Sequence, residues 1–373
     1  MEVKQRLEKI RDIPFRNLSV KDKALKKELL GVVDRVLSHG YFILGPEVEE
    51  LEAQIAAFCQ KKYAVGMNSG TDALYLALRS LEIGPGDEVI TTPLSWIATV
   101  NAIVLCGATP VFVDIEDDLN INADLVEKAI TPKTKAILPV HFTGKMCDIV
   151  RIKDIAKRHH LYVVEDAAQA FGASIPEGVA GSFSDIGCFS LNPMKILCAY
   201  GEAGAVVTDD AKLSERLASL RYGGTVNRED CHWPSLNGRI DSIQAAMVSV
   251  NLKYLKDKIK RRQEIANRYT SALKEVVTCP RDDRGCHVYY SYTILVPRRD
   301  ELKEYLLRNG IASKVQHPIL MPYHSAYKGK FAPLIPVAEQ LVQQLLCIPN
   351  DETLVDEEID YIIDHIKQFY SAK

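Results

Sequence analysis

Short apolar runs, each about the length of one strand, recur between residues 63 and 208, and stretches with helical periodicity separate most of them. They are Tyr63–Met67, Glu88–Thr91, Pro110–Asp114, Ala136–Val140, Leu161–Val164, Ile186–Ser190 and Ala203–Thr208. Runs that stay apolar suit strands covered on both faces, and strand–helix alternation builds a largely parallel sheet. An α/β architecture is therefore expected. A helix opening at Gly45-Pro46-Glu47 fits it, with proline in the first turn, acidic residues near the positive end, and Val48, Leu51, Ile55 and Phe58 on one face.

After Arg239 the pattern changes. Residues 241 to about 274 read as one long or slightly broken helix. A strand at Tyr289–Val296, a helix near Glu301–Arg308, a strand near Ala312–Gln316 and a final helix from about Glu357 to Tyr370 follow. At 373 residues, and with ~150 residues per domain as a guide, two domains are expected. Residues 1–250 form the large α/β domain with an N-terminal helical arm, and 251–373 a smaller α+β domain. The turn-rich stretch Gly223–Asn237 is the best candidate for a long functional loop.

The residues that bear chemistry fall at the ends of these strands. Asn68-Ser69-Gly70-Thr71-Asp72 follows a strand and opens a helix, so free N–H groups, the positive helix end and two hydroxyls can converge on an anion. The same pattern also suits an ordinary capped helix start. The glycine fingerprints for dinucleotides and nucleoside triphosphates are missing. Trp96 lies just beyond the next strand, where an aromatic can stack on a ring or simply pack in the core. Asp166 ends a buried-type strand, with Gln169 three residues on; a carboxylate there can keep a pyridinium nitrogen protonated, or cap a helix starting at Ala167. Lys195 stands downstream. An amine near such a carboxylate can hold an aldehyde cofactor as a Schiff base, which is pyridoxal phosphate chemistry, although one lysine alone is more often a surface charge.

Charge and cysteine usage narrow the partners. A formal net charge of -3 leaves no strongly basic surface for a nucleic acid backbone, and the cluster Lys256, Lys258, Lys260, Arg261 and Arg262 reads as a solvated helix face. Met1–Ile10 is charged throughout, with no apolar stretch for a signal peptide or membrane span, and nine cysteines without a Cys-x-x-Cys pair suggest reduced thiols. A cytoplasmic enzyme with a small-molecule substrate is expected, with no membrane or nucleic acid partner. His141, His159, His160, His317 and His324 lack metal-ligand spacing, so no metal site is expected.

From about Gly40 to Pro349 the chain resembles the sugar aminotransferases of the DegT/DnrJ/EryC1/StrS family, within the fold-type I pyridoxal phosphate enzymes. The resemblance runs through Gly40-Tyr-Phe-Ile-Leu-Gly45-Pro-Glu-Val, Asn68-Ser-Gly-Thr-Asp-Ala-Leu, Pro110-Val-Phe-Val-Asp114, Glu165-Asp-Ala-Ala-Gln169, Ser190–Gly204, and Asn237-Gly-Arg239 leading into Gln244-Ala-Ala. It implies an aspartate-aminotransferase-like fold with a mostly parallel seven-stranded sheet. It also implies roles: Lys195 as Schiff-base lysine and proton shuttle, Asp166 on the ring nitrogen, Gln169 on the ring hydroxyl, and Trp96 stacked on the ring. Ser69, Gly70, Thr71 and Ser190 would hold the phosphate. Asn237 would reach the phosphate of a neighbouring subunit, which implies a homodimer with shared active sites. Related dehydratases carry histidine where Lys195 stands, so the lysine implies transamination from L-glutamate, leaving 2-oxoglutarate, to a keto sugar, by default nucleotide-linked. Such a reaction belongs to amino-sugar biosynthesis for a surface polysaccharide, including lipopolysaccharide, or a glycosylated metabolite.

Some segments depart from the family pattern: Leu191–Met194, Tyr200–Glu202, the lengthened stretch Gln316–His324, and Cys347-Ile-Pro-Asn350. They fall where the acceptor would be recognised, which makes His317 and His324 candidates for lining its pocket. A binding or regulatory protein that keeps the pocket without turnover is the competing reading.

Overall fold

The computed structural model describes residues 12–283 and 285–371. Residues 1–11, the start of the expected N-terminal arm, lie outside the described residues. Helix α1 (Lys23–His39) is capped by Asp22, whose carboxylate accepts the N–H groups of Ala24 and Leu25, and ends where Gly40 turns left-handed at φ 77°. Helix α2 (Pro46–Phe58) starts at the expected proline and buries Val48, Leu51 and Ile55.

There follow β1 (Tyr63–Met67), α3 (Gly70–Ser80), β2 (Glu88–Thr91), α4 (Ala98–Leu105), β3 (Thr109–Phe112), β4 (Thr134–Leu138), α5 (Ile149–His159), β5 (Tyr162–Asp166), β6 (Ile186–Ser190), β7 (Gly204–Thr208) and α6 (Ala211–Leu220). The seven strands form one sheet in the order β1-β7-β6-β5-β4-β2-β3. Strand β7 runs antiparallel to both neighbours, β1 and β6, and every other pairing is parallel. Reversed twice across β7, β1 points the same way as β6. The carboxyl ends of β1, β2, β4, β5 and β6 therefore meet along a single edge, which is where open α/β sheets bind ligands.

Successive strand residues feed opposite faces of this sheet. Ile90, Ile137 and Val163 join one core with Val48, Leu51, Ile55, Ile152 and Ile155 of α2 and α5. Their neighbours Val89, Ala136, Leu138 and Val164 join another with Leu74, Leu78, Ile103 and Leu217 of α3, α4 and α6. Each such Val, Leu or Ile side chain withdrawn from water contributes ~1.5–3 kcal/mol. That two-sided burial is why the runs read as continuously apolar.

The expected long helix is broken at Tyr254 into α7 (Ser242–Lys253) and α8 (Leu255–Leu273). Beyond it lie β8 (Tyr292–Leu295), α9 (Arg299–Arg308), β9 (Leu345–Ile348) and α10 (Asp356–Ser371). A third core unites Ile265, Tyr269, Tyr292, Ile294, Leu306, Leu346, Ile348, Ile362 and Ile366, and it also takes in Ile13. The strand expected at Ala312–Gln316 does not form. Strand β8 pairs antiparallel with β9 instead, and residues 311–314 make only isolated bridges, Ile13 to Ile311 and Lys314 to Cys347. Extension ends there because His317 turns left-handed at φ 55° and Pro318 has no N–H to donate. The Gly223–Asn237 stretch folds back as a short hairpin, with Thr225–Val226 paired to Asp230–Cys231. No described helix is long and apolar enough to cross a membrane.

Candidate active site

A cavity of about 580 Å³ opens at the carboxyl edge of the sheet, and the chemically marked residues gather around it. Ser69, Gly70, Thr71, Trp96, Asp166, Gln169, Ser190, Lys195, His317 and His324 all line it. Asn237 does not. Its side chain is exposed, and Oδ1 accepts the Arg239 Nε–H at 2.7 Å.

The first wall is the entry to α3. Ser69 is the N-cap in extended conformation, its Oγ accepting the Asp72 N–H at 3.0 Å, while its carbonyl accepts the Ala73 N–H. The two N–H groups before these, on Gly70 and Thr71, have no intrahelical partner and face the positive helix end. Gly70 is pressed against Ser190, where a Cβ would come within 2.5 Å of the serine Cβ. Any larger residue would push the helix start away from Ser190, so glycine sets the spacing of this anion cradle.

Asp166 forms the floor. Its Oδ2 accepts the Thr99 hydroxyl at 2.8 Å and its Oδ1 the Ala168 N–H at 3.2 Å; no helix starts at Ala167, and the carboxylate caps only a turn there. Burial pushes its pKa above the usual range, opposed by those two hydrogen bonds and by the charge of Lys195. Gln169 is buried, and its Oε1 accepts the Thr143 N–H at 2.9 Å, which leaves the amide donors to turn inward.

Below the floor, His141 and Glu165 are fully buried and 2.7 Å apart. The His141 Nδ1 accepts the Cys147 N–H, so Nε2 carries the proton and donates to Glu165. Glu165 also accepts the N–H groups of Gly181, Phe183 and Ser184 and the Ser184 hydroxyl. Burial alone would raise this carboxyl, yet the His141 contact and the remaining donors hold it below the usual carboxylate range. An isolated buried carboxylate would cost several kcal/mol, and this set of donors offsets that cost. The pair fixes the strand end that carries Asp166, whose carbonyl accepts the His141 N–H.

Lys195 makes no ion pair among the described residues, and its Nζ lies 4.7 Å from the centroid of the Tyr290 ring. Trp96 is 60% exposed at the mouth, with its ring centroid 5.8 Å from that of His317. Burial, reinforced by Lys195, Lys314 and His324, lowers the His317 pKa to about 3, so its ring is neutral near pH 7. Sequence reading missed Thr99, Tyr290, Arg16 and Lys314. Only Thr99 carried a local signal, because it stands three residues after Trp96 in the segment already marked; the others reach the cavity from distant segments.

The site thus combines an anion cradle, a buried carboxylate and an amine without an ion pair around one cavity. The model of the DegT/DnrJ/EryC1/StrS aminotransferase family matches residues 23–367. A pleiotropic regulatory protein of Geobacillus stearothermophilus is 40% identical over 96% of this chain and 99% of its own. A dTDP-3-amino-3,4,6-trideoxy-alpha-D-glucose transaminase of Streptomyces venezuelae is 39% identical, covering 96% of each chain. Among solved structures, S. venezuelae DesV in complex with a ketimine intermediate superposes with a TM-score of 0.95 at 38% identity, over 97% of this chain and 100% of that one. NtdA of Bacillus subtilis with bound cofactor PMP gives 0.91 at 31% identity, over 97% and 86%. The fold is that of the fold-type I aminotransferases, and the chain belongs to the DegT/DnrJ/EryC1/StrS aminotransferase family.

Proposed function

We propose that this enzyme uses pyridoxal 5'-phosphate to move an amino group from L-glutamate to a nucleotide-linked keto sugar. The observation that carries the reading is the unpaired Lys195 amine sharing one cavity with the buried Asp166 carboxylate. What the cofactor supplies is an electron sink for the carbon that bears the amine. The chain's own residues fit such a group. The Gly70 and Thr71 N–H groups, with Ser69 and Ser190, suit a phosphate; Asp166 suits a protonated ring nitrogen; Gln169 has amide hydrogens for a ring hydroxyl; Trp96 offers a stacking face.

Lys195 Nζ is the group that takes and returns the proton at the reacting carbon. Asp166 keeps the ring charged, and the Thr99 hydroxyl holds the carboxylate in its ionised form. His317 and His324 line the side open to the acceptor. The chain works as a cytoplasmic homodimer in which the exposed Asn237 completes the partner subunit's phosphate site. Its product feeds a surface polysaccharide or a glycosylated metabolite.

Purified holoenzyme is expected to be yellow and to lose its visible band on adding L-glutamate, with a keto sugar restoring it. A protein that stays colourless in added cofactor rules the reading out. The name of the G. stearothermophilus relative favours a second, regulatory reading, which predicts colour that glutamate leaves unchanged.

A further inference from the structure

Two cations on the later-sequence side of the cavity have no role in the chemistry above. The segment beginning at Ile13 is bound in parallel to Ile311, with the Ile13 N–H donating to the Gly310 carbonyl at 2.7 Å and the Ala312 N–H to the Ile13 carbonyl at 2.9 Å. Three residues beyond the bridge on each segment stand Arg16 and Lys314, and both line the cavity. Lys314 is held in place by its own backbone pairing with Cys347.

Neither cation has a carboxylate within ion-pair distance among the described residues. One Arg16 Nη2–H donates to the Tyr290 carbonyl, but Nε is buried with no hydrogen-bond partner. The guanidinium carbon lies 4.3 Å from the centroid of the same Tyr290 ring that carries Lys195 Nζ at 4.7 Å. Burial lowers the Arg16 pKa, and Arg262 adds to that, while Asp351 and Glu352 act only from a distance. A guanidinium with an empty donor is a costly thing to leave in a protein wall, and its planar fork matches a carboxylate in two parallel hydrogen bonds.

We infer that Arg16, assisted by Lys314, is the site that receives the α-carboxylate of the amino donor. The inference rests on the aminotransferase reading above and specifies how that site selects its donor. Geometry separates the two anions on offer. An α-carboxylate is bonded to the carbon whose amine must reach Lys195, so its receptor has to share a wall with that lysine, as Arg16 does through Tyr290. The diphosphate of a nucleotide-linked acceptor lies a whole sugar ring away from the reacting carbon, which places it nearer the mouth.

Three variants of the holoenzyme test this: Arg16→Gln, Arg16→Lys and the exposed Lys314→Gln. The donor half-reaction is followed by loss of the visible band with L-glutamate, the acceptor half-reaction by its return with a keto sugar, and 2-oxoglutarate binding by calorimetry. Arg16→Gln is expected to weaken glutamate and 2-oxoglutarate on the order of 10- to 100-fold while leaving the acceptor constant unchanged. Arg16→Lys retains part of the affinity, and Lys314→Gln loses it by a few-fold. If Arg16→Gln does not fold, the lysine and Lys314 variants decide the matter alone. Unaltered glutamate binding overturns the inference, and so does a loss confined to the acceptor, which would assign Arg16 to the sugar's phosphate or carboxylate instead. Wild-type enzyme that no amino acid bleaches would overturn the aminotransferase reading itself, a separate result.

Discussion

The cavity has a floor and a rim, and they are built on different terms. The floor comes from strand ends on one sheet edge, and its polar atoms are already committed: Asp166 to Thr99 and Ala168, Gln169 to Thr143, Glu165 to His141 and Ser184. The rim comes from segments far apart in the chain, near residues 16, 290 and 314–324, and its cations keep unclaimed donors, as with Arg16 Nε, which is buried without a partner, and Lys314, which has no ion pair among the described residues. A preorganised floor does the same chemistry whatever enters, while an uncommitted rim is where a particular substrate completes the bonding. Common chemistry and private selectivity are thus carried by separate parts of one cavity.

That division can be broken by mutation. Lys195→Ala removes the proton-moving amine and is expected to lower turnover at least ~10³-fold with every substrate, while cofactor still binds through the α3 entry and Asp166. Equilibrium dialysis of cofactor beside a turnover assay checks both halves, and normal turnover would mean that the chemistry belongs to another residue. A rim change should behave differently: His324→Ala is expected to raise KM for the sugar about 10-fold and leave the glutamate half-reaction as it was. An equal loss in both would dissolve the distinction.

Thr99→Val touches only the floor. Removing the hydroxyl that stabilises the Asp166 anion raises a carboxyl already raised by burial, so the acid limb of the pH–rate profile should move to higher pH, with a few-fold loss of activity near neutrality. The smallest effect concerns acid stability. The folded His317 pKa of about 3 lies below its ordinary 6.5, so the unfolded chain binds the extra proton first and stability falls as pH drops through that window. His317→Gln removes this one contribution, and its melting temperature should decline less steeply between pH 7 and pH 4 than that of the wild type.

Most of the floor was legible in sequence because Asp166, Gln169, Ser69 and Ser190 sit within a few positions of a strand whose apolar run announces it, whereas Thr99 lies eight residues past β2. Asp166 ends such a run, Ser69 follows one, and Ser190 closes another. On the rim, His317 and His324 were marked only through departures from the family pattern, and the two cations were not legible for the complementary reason. Arg16 and Lys314 are 298 positions apart and their segments are joined by a single backbone bridge, which leaves no local pattern. The expected strand at Ala312–Gln316 shows the same limit: its residues suit a strand, but only Lys314 bridges to Cys347 of β9 before the turn at His317 and Pro318 ends the extension. Tyr290 was read as part of a strand, and only its position beneath Arg16 and Lys195 gave it significance.

The bridge between Ile13 and Ile311 also dictates an order of events during synthesis. The floor can assemble once the chain has emerged as far as β7, but the segment around Ile13 must wait for residue 311 before its backbone bridge can form. A ribosome stalled between those points would display a nearly finished phosphate cradle with one wall still open. In this molecule the segment that carries Arg16, though made early, is among the last parts to find its place.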